Sequence, residues 1–118
     1  MRVLYYLNSC DTCKRIIKEL AIKESISQIE IKKNPLTSVQ LEILLEKVGS
    51  YEELINKRAQ LYKQRNLKDR KLKEEDYKNL LLEHYTFLKR PILLYDEHIF
   101  VGNSVKIIAQ AKAFLNEQ

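Results

Sequence analysis

The two cysteines of this chain, Cys10 and Cys13, lie between a short apolar run and a helical pattern. The run from Val3 to Leu7 is nearly all apolar, with a β-branched residue and two tyrosines, and is short enough to be a buried strand. Asp11 to Ile22 then carries apolar residues at helical spacing, and Ile26 to Ile31 alternates as a strand does. A strand, a helix and a strand within this length predict a right-handed βαβ unit with parallel strands.

A mostly helical section is predicted next. Thr37 and Gln40 form the pattern of a capping box ahead of a helix with one apolar face, and Gly49 is a typical residue at which a helix ends. Further helices are predicted from Tyr51 to about Arg58 and from Glu74 to His84.

Strands return near the end of the chain. Ile92 to Tyr95 and His98 to Val101 are predicted to pair as an antiparallel hairpin, and Ser104 to Leu115 has the spacing of a closing helix. The order of elements is βα, β, several helices and then ββα. A chain of 118 residues is long enough to bury its own core, so we expect one α/β domain over 1–118 with a helical insert at approximately 37–85.

One segment supplies most of the excess positive charge. The formal net charge is +5, and the segment from Lys57 to Lys73 contains eight basic residues against a single acidic one, Asp69. Such a segment can attract a polyanion. Acidic residues follow at once, however, and no aromatic residues stand among the cations from Lys63 to Lys73 to stack on bases. We therefore expect no direct binding of nucleic acid.

The sequence indicates a cytoplasmic protein. Its first residues lack the long apolar stretch and cleavage site of a secretory signal, and no segment approaches membrane-spanning length, so no membrane partner is expected. The cytoplasm keeps thiols reduced. A Cys-x-x-Cys pair in that compartment is more often catalytic, redox-sensing or metal-binding than permanently bridged.

The position of the cysteines favours thiol chemistry. Cys10 stands where the predicted helix begins, and a helix N-terminus stabilises a thiolate. Cys13, one turn further, is placed to attack a mixed disulfide on Cys10, and Lys14 adds positive charge. A structural bridge across so short a loop stabilises little, about 2 kcal/mol. A metal site would need His84 and His98, whose spacing matches no known ligand pattern, so none is expected.

Three stretches resemble the arsenate reductase (ArsC) and Spx family, a branch of the thioredoxin fold with a helical insertion. They are "YYLNSCDTCKR", "INKRAQLYK" and "LKRPILLYDEHIFVG", and the similarity spans nearly the whole chain. The resemblance implies a thioredoxin-like βαβ…ββα fold with a central mixed four-stranded sheet. It also implies an insertion of the ArsC/Spx type.

The resemblance also implies roles for individual residues. Cys10 matches the nucleophile of the family, and Arg90 matches the arginine that holds the oxyanion of the substrate. Pro91 matches the cis proline beside the active cysteine, and an X-Pro bond adopts the cis form at a cost of only about 0.5 to 1 kcal/mol. Arg58 matches a basic residue of the insert that faces the same site, although it is equally well explained as a solvated surface residue.

The chain departs from the glutaredoxin-dependent arsenate reductases of this family in two ways. Those enzymes carry a lone catalytic cysteine and a further arginine after the hairpin, whereas this chain has Cys13 and reads Gly102-Asn103-Ser104 there. The expected site therefore has one cation fewer for an oxyanion.

These observations predict a cytoplasmic thiol oxidoreductase of the arsenate reductase-like family. Cys10 would be the nucleophile, and Cys13 or an external thiol such as glutathione would resolve the adduct. The expected substrate is a small oxyanion or a thiol or disulfide. No bound cofactor is expected, and glutathione, glutaredoxin or thioredoxin would supply electrons. The alternative is an Spx-like redox-sensing regulator of transcription that binds RNA polymerase.

Overall fold

The computed structural model describes residues 1–118 and divides them into two compact units. The first unit comprises Met1–Asn34 and Arg90–Gln118, and the second comprises Pro35–Lys89. The strands are β1 (Arg2–Tyr6), β2 (Ser27–Glu30), β3 (Ile92–Tyr95) and β4 (His98–Val101). The α-helices are α1 (Asp11–Leu20), α2 (Ser38–Val48), α3 (Gln60–Gln64), α4 (Glu74–Glu83) and α5 (Val105–Asn116).

The four strands of the first unit form one mixed sheet in the order β2-β1-β3-β4. β1 and β2 are parallel, as the βαβ interpretation predicted, with Tyr6 opposite Glu30 at their carboxyl ends. β3 is antiparallel to β1 and to β4. The predicted α/β class and the mixed four-stranded sheet are therefore confirmed, and the two hairpin strands have the predicted bounds.

The core of the first unit lies where α1 and α5 pack on the sheet. One cluster joins strand residues with helix residues: Leu4, Leu93 and Tyr95 from the sheet, Ile26 from the loop before β2, Ile16 and Leu20 from α1, and Ile108 and Ala111 from α5. Leu4 and Leu93 are direct partners across β1 and β3, so they present one face of the sheet to both helices. This packing fixes α1 against the sheet.

The second unit contains the predicted helical insert. Thr37 caps α2 with the predicted capping box, because its side chain accepts the Gln40 N–H and the Gln40 side chain accepts the Thr37 N–H. Gly49 ends α2 at φ 93°, a left-handed conformation that glycine adopts without steric cost. Leu41 and Leu44 are fully buried in this unit, together with Leu54 and Phe87.

The helix predicted from Tyr51 to about Arg58 is wrong. Only Glu52–Leu54 forms a single 3-10 turn, and Ile55 has extended backbone angles. Ile55 pairs with Leu88 in an isolated antiparallel bridge, which the Asn56 N–H to Phe87 C=O bond of 2.7 Å extends. The chain there follows this tertiary pairing rather than its local helical preference.

Other helix boundaries differ only slightly from the prediction. α1 ends at Leu20, two residues before the expected Ile22, because Ala21 adopts a left-handed conformation at φ 50°. The basic segment contains the short helix α3 and a 3-10 turn at Leu67–Asp69, neither of which the sequence pattern predicted. Across all five helices, none has the length and apolar content that crossing a lipid bilayer requires.

Candidate active site

Cys10 lies at the start of α1, in the position that the sequence predicted. It is the N-cap residue of the helix, with extended backbone angles, and its Sγ accepts a hydrogen bond of 3.4 Å from the Cys13 N–H. The Cys10 N–H in turn donates to the Leu7 carbonyl at 3.1 Å, which closes the turn between β1 and α1. A sulfur that accepts from the amides of a first helical turn is stabilised as an anion.

The surroundings of Cys10 favour its thiolate. Partial burial opposes ionisation, but the hydrogen bonds from Cys13 and the charge and hydrogen bonding of Arg90 outweigh it, so the pKa of Cys10 lies below its ordinary value. The side chain is only partly buried, so a small substrate can reach it. Cys10 therefore combines the two properties of a reactive cysteine, acidity and access.

Cys13 has the opposite character. It is 0 % exposed, and burial together with the neighbouring Cys10 sulfur raises its pKa to about 11. Both cysteines are free thiols in the structure. The pair therefore consists of one acidic, accessible thiol and one buried thiol that keeps its proton.

The segment before β3 brings Arg90 to the cysteines. The Arg90-Pro91 peptide bond is cis, which is the geometry that the resemblance implied, and Pro91 is buried. The Pro91 carbonyl accepts the Gly102 N–H at 2.9 Å, which ties this segment to the end of β4. Arg90 precedes this fixed point. Its guanidinium helps to lower the pKa of Cys10 and opposes part of the rise at Cys13.

The two other predicted basic residues have exposed side chains. Lys14 lies on the first turn of α1 with an exposed side chain, and its N–H donates to the Cys10 carbonyl at 3.2 Å. Arg58 belongs to the second unit, where its side chain is exposed and its N–H donates to the Asn56 side chain at 3.1 Å. The roles of Lys14 and Arg58 at the site stay predictions.

The two histidines take part in local contacts of other kinds. His84 follows α4, where its Nδ1 lies 2.7 Å from the Thr86 hydroxyl and its ring stacks on Tyr85. His98 is exposed on β4, with its ring 4.4 Å from that of Phe114. The structure contains no group of three or more histidine, cysteine or carboxylate side chains that could hold a metal ion.

Sequence reasoning missed one residue that contacts the loop before Cys10. Glu30 lies within the predicted strand from Ile26 to Ile31, and its carboxylate accepts the Asn8 N–H. No local pattern predicts a contact between residues so far apart in sequence. The signal that could have found it is the βαβ prediction itself, which brings the carboxyl ends of two neighbouring parallel strands to one edge of the sheet.

Taken together, the geometry provides a sulfur of lowered pKa, a guanidinium beside it and a second thiol one turn away. A thiolate of lowered pKa can attack an electrophilic sulfur or the central atom of an oxyanion. A guanidinium next to it can stabilise the negative charge of such a substrate.

Solved structures of similar fold come from several bacteria. A protein described as a possible arsenate reductase from Streptococcus mutans is 30% identical, with a TM-score of 0.64 over 84% of this chain and 87% of its own. An arsenate reductase from Vibrio cholerae is 19% identical, with a TM-score of 0.76 over 93% and 96% of the two chains. An arsenate reductase related protein from Brucella melitensis is 23% identical, with a TM-score of 0.70 over 96% and 92%. No protein of curated function matches the chain.

The model of the ArsC family matches residues 5–111. This range begins in β1 and ends within α5, so it contains both cysteines, the insert and the Arg90-Pro91 segment. The match covers nearly all of the sequence and agrees with the thioredoxin-like fold of the solved structures, and the chain therefore belongs to the ArsC family.

Proposed function

We propose that this protein is a thiol oxidoreductase of the arsenate reductase-like type, with Cys10 as its nucleophile. The observation that carries the proposal is the single arrangement at the start of α1, in which a partly exposed sulfur accepts the Cys13 N–H beside Arg90. The names of the family and of its solved members support the reaction class.

The reaction would proceed in two steps. With arsenate as substrate, the Cys10 thiolate attacks arsenic, an S–As bond forms and a protonated oxygen leaves as water. A second thiolate then attacks the Cys10 sulfur, so that a disulfide forms and the electron pair of the S–As bond stays on arsenic, which departs as arsenite. With a disulfide as substrate, Cys10 attacks one sulfur and the other leaves as a thiol.

Arg90 would act in the first step. An oxyanion that approaches Cys10 brings negative charge towards a thiolate, and a guanidinium offsets this repulsion with hydrogen bonds in a planar fork. Lys14 and Arg58 are the proposed additional cations. Because Gly102-Asn103-Ser104 supplies no arginine after the hairpin, we expect weaker retention of an oxyanion than a site with that residue would give.

The second thiol would be Cys13 or an external thiol such as glutathione. Cys13 is buried and holds its proton, so it becomes a nucleophile only when that proton is removed as the adduct forms. Glutathione, with glutaredoxin or thioredoxin to reduce the product, would supply the electrons that the reaction consumes. The reaction needs a reduced thiol pool, so we propose a cytoplasmic location.

Steady-state turnover with arsenate, glutathione and glutaredoxin tests the proposal. We expect Cys10→Ser to abolish turnover with arsenate and with low-molecular-weight disulfides. If Cys13→Ser keeps turnover in the presence of glutathione, the external thiol resolves the adduct; if it does not, Cys13 does. Undiminished turnover in Cys10→Ser, or none in the unchanged protein with any of these substrates, would contradict the proposal.

No contact or surface described above favours the RNA polymerase-binding alternative over the enzyme. A pull-down with the unchanged protein and with Cys10→Ser, each reduced and oxidised, separates the two. The enzymatic proposal predicts that RNA polymerase is not retained in either redox state.

A further inference from the structure

The carboxylate of Glu30, on the neighbouring strand β2, holds the loop that carries Cys10. Leu7 to Cys10 connect β1 to α1, and the Asn8 N–H donates to Glu30 Oε2 at 2.8 Å. Glu30 is the last residue of β2 and stands opposite Tyr6, the last residue of β1. The carboxylate therefore reaches across the edge of the sheet to the turn that begins just after β1.

The second oxygen of the same carboxylate holds the turn after β2. Glu30 Oε1 accepts the Lys32 N–H and the Lys33 N–H, each at 2.8 Å. The Glu30 backbone carbonyl also accepts the Asn34 N–H at 2.9 Å, so both the side chain and the backbone of Glu30 are held by hydrogen bonds. One side chain thus satisfies amides from two loops, which leave the sheet at neighbouring strands.

These hydrogen bonds favour an ionised carboxylate. Desolvation acts against ionisation, but the amides of Asn8, Lys33 and Lys32 and the charge of Lys33 lower the pKa of Glu30 below its ordinary value. Hydrogen bonds from amides to a charged carboxylate are among the stronger ones in proteins. The Glu30 carboxylate is therefore ionised at neutral pH, where it accepts the Asn8 N–H.

The position of the Cys10 sulfur depends on this loop. The Sγ must lie within reach of the Cys13 N–H, and the backbone of Cys10 must stay extended while α1 begins at the next residue. A shift of the loop would lengthen the 3.4 Å contact between the sulfur and that amide. The bond from the Cys10 N–H to the Leu7 carbonyl and the bond from the Lys14 N–H to the Cys10 carbonyl also oppose such a shift, but neither of them holds Asn8.

We propose that Glu30 is a positioning residue of this site, whose carboxylate fixes the loop before Cys10 to the end of β2 and so holds the sulfur at the helix N-terminus. The inference rests on the proposed role of Cys10 as nucleophile. Glu30 touches neither thiol in the contacts above, so it would act through the backbone of Asn8 and not on the substrate.

The direction in which the pKa of Cys10 changes when Glu30 is removed tells whether Glu30 positions the loop or acts on the sulfur through its charge. A negative charge near a thiol disfavours the thiolate, so removal of Glu30 would lower the pKa of Cys10 if charge alone acted. If Glu30 holds the loop, its removal weakens the hydrogen bond to the sulfur and raises the pKa. The two accounts thus predict opposite shifts.

The experiment follows the rate of Cys10 alkylation by iodoacetamide against pH in the unchanged protein, Glu30→Ala and Glu30→Gln. For Glu30→Ala we expect the pKa of Cys10 to rise by roughly half a unit or more, which is a roughly threefold loss of thiolate below the pKa. The matched control is Glu24→Gln, which removes one exposed negative charge from the same unit and should leave the pKa unchanged or slightly lower.

Glu30→Gln keeps the experiment decisive if Glu30→Ala does not fold. Its amide retains one acceptor oxygen and replaces the other with a donor, so it cannot accept from both Asn8 and the turn after β2. We expect a smaller rise in the pKa of Cys10, with faster hydrogen exchange of the Asn8 amide. A lowered or unchanged pKa in folded variants would overturn the inference. A high Cys10 pKa in the unchanged protein would instead count against the proposed function.

Discussion

Cys10 and Cys13 are separated by two residues, and their environments drive their acidities apart. Cys10 faces the amides of a helix start and a guanidinium, whereas Cys13 is fully buried one turn further. Opposed pKa values within one pair are typical of sites that divide attack and proton retention between two groups. The sequence predicted the position of Cys10 at a helix start, because a helix start can be located from spacing. It did not predict the raised pKa of Cys13, because the burial of Cys13 depends on how α1 packs.

Arg90 is the residue whose removal should affect reactivity most after Cys10. For Arg90→Met we expect the pKa of Cys10 to rise, because the charge and hydrogen bond that favour the thiolate are lost. With an oxyanion substrate, kcat/KM should fall on the order of 100-fold, the usual cost of one donor to a developing charge. Alkylation rates against pH and steady-state kinetics measure the two effects.

Two further variants identify the cause of the Arg90 effect. Arg90→Lys keeps the charge and loses the planar fork, so it should restore part of the pKa shift and little of the turnover. Lys18→Met removes a cation from the last turn of α1, and both quantities should stay unchanged. Equal losses in Lys18→Met and Arg90→Met would contradict a specific role for the guanidinium.

At the scale of elements, local patterns predicted what local interactions decide. The capping box at Thr37, the stop at Gly49 and the hairpin strands are all as expected, because each depends on residues a few positions apart. The failure between Tyr51 and Arg58 has a non-local cause. Ile55 pairs with Leu88, and the Lys89 N–H donates to the Leu54 carbonyl at 2.8 Å, which no pattern within the segment could indicate.

The capping box gives a direct stability prediction. Thr37→Ala removes the acceptor for the Gln40 N–H, so the free energy of unfolding should fall by about 1 kcal/mol. Ser38→Ala is the matched control, since Ser38 is the exposed first residue of α2 and makes no capping bond. Urea denaturation measures both. A loss in Ser38→Ala as large as that in Thr37→Ala would show that the cap is not the cause.

At the scale of the whole molecule, the candidate site depends on chain topology. Arg90 precedes β3, which lies beside β1 in the sheet, and α1 begins shortly after β1 ends. The family resemblance predicted that Arg90 and Cys10 would meet, and the sheet order supplies the physical reason. The contact from Glu30 to Asn8 depends on the same parallel pairing but also on one rotamer, which sequence patterns do not encode.

The buried thiol predicts how stability changes with pH. Below the ordinary value of 9.0, Cys13 is protonated in both the folded and the unfolded chain, so its contribution to stability is fully present. Above it, the unfolded chain ionises while the folded protein resists until about pH 11. The free energy of unfolding should therefore fall by about 3 kcal/mol across this interval from Cys13 alone.

Urea denaturation under reducing conditions, repeated across this pH interval, measures the effect. Cys13→Ala should lack this part of the decline, so its stability curve should converge towards that of the unchanged protein at high pH. Cys10 acts with the opposite sign, because its lowered pKa stabilises the fold above the ordinary thiol pKa and this is lost as the pH falls. Parallel curves for the two proteins would contradict the assigned burial of Cys13.

The most direct test of the account is a pH titration of the Cys10 thiolate by its ultraviolet absorbance, in Cys13→Ser, where only one thiol remains. The serine variant keeps the backbone N–H that donates to the Cys10 sulfur. We expect a pKa clearly below that of a thiol in an unfolded peptide. A value at or above the peptide thiol would contradict it, because Cys10 would then be a thiol at neutral pH with no advantage as a nucleophile.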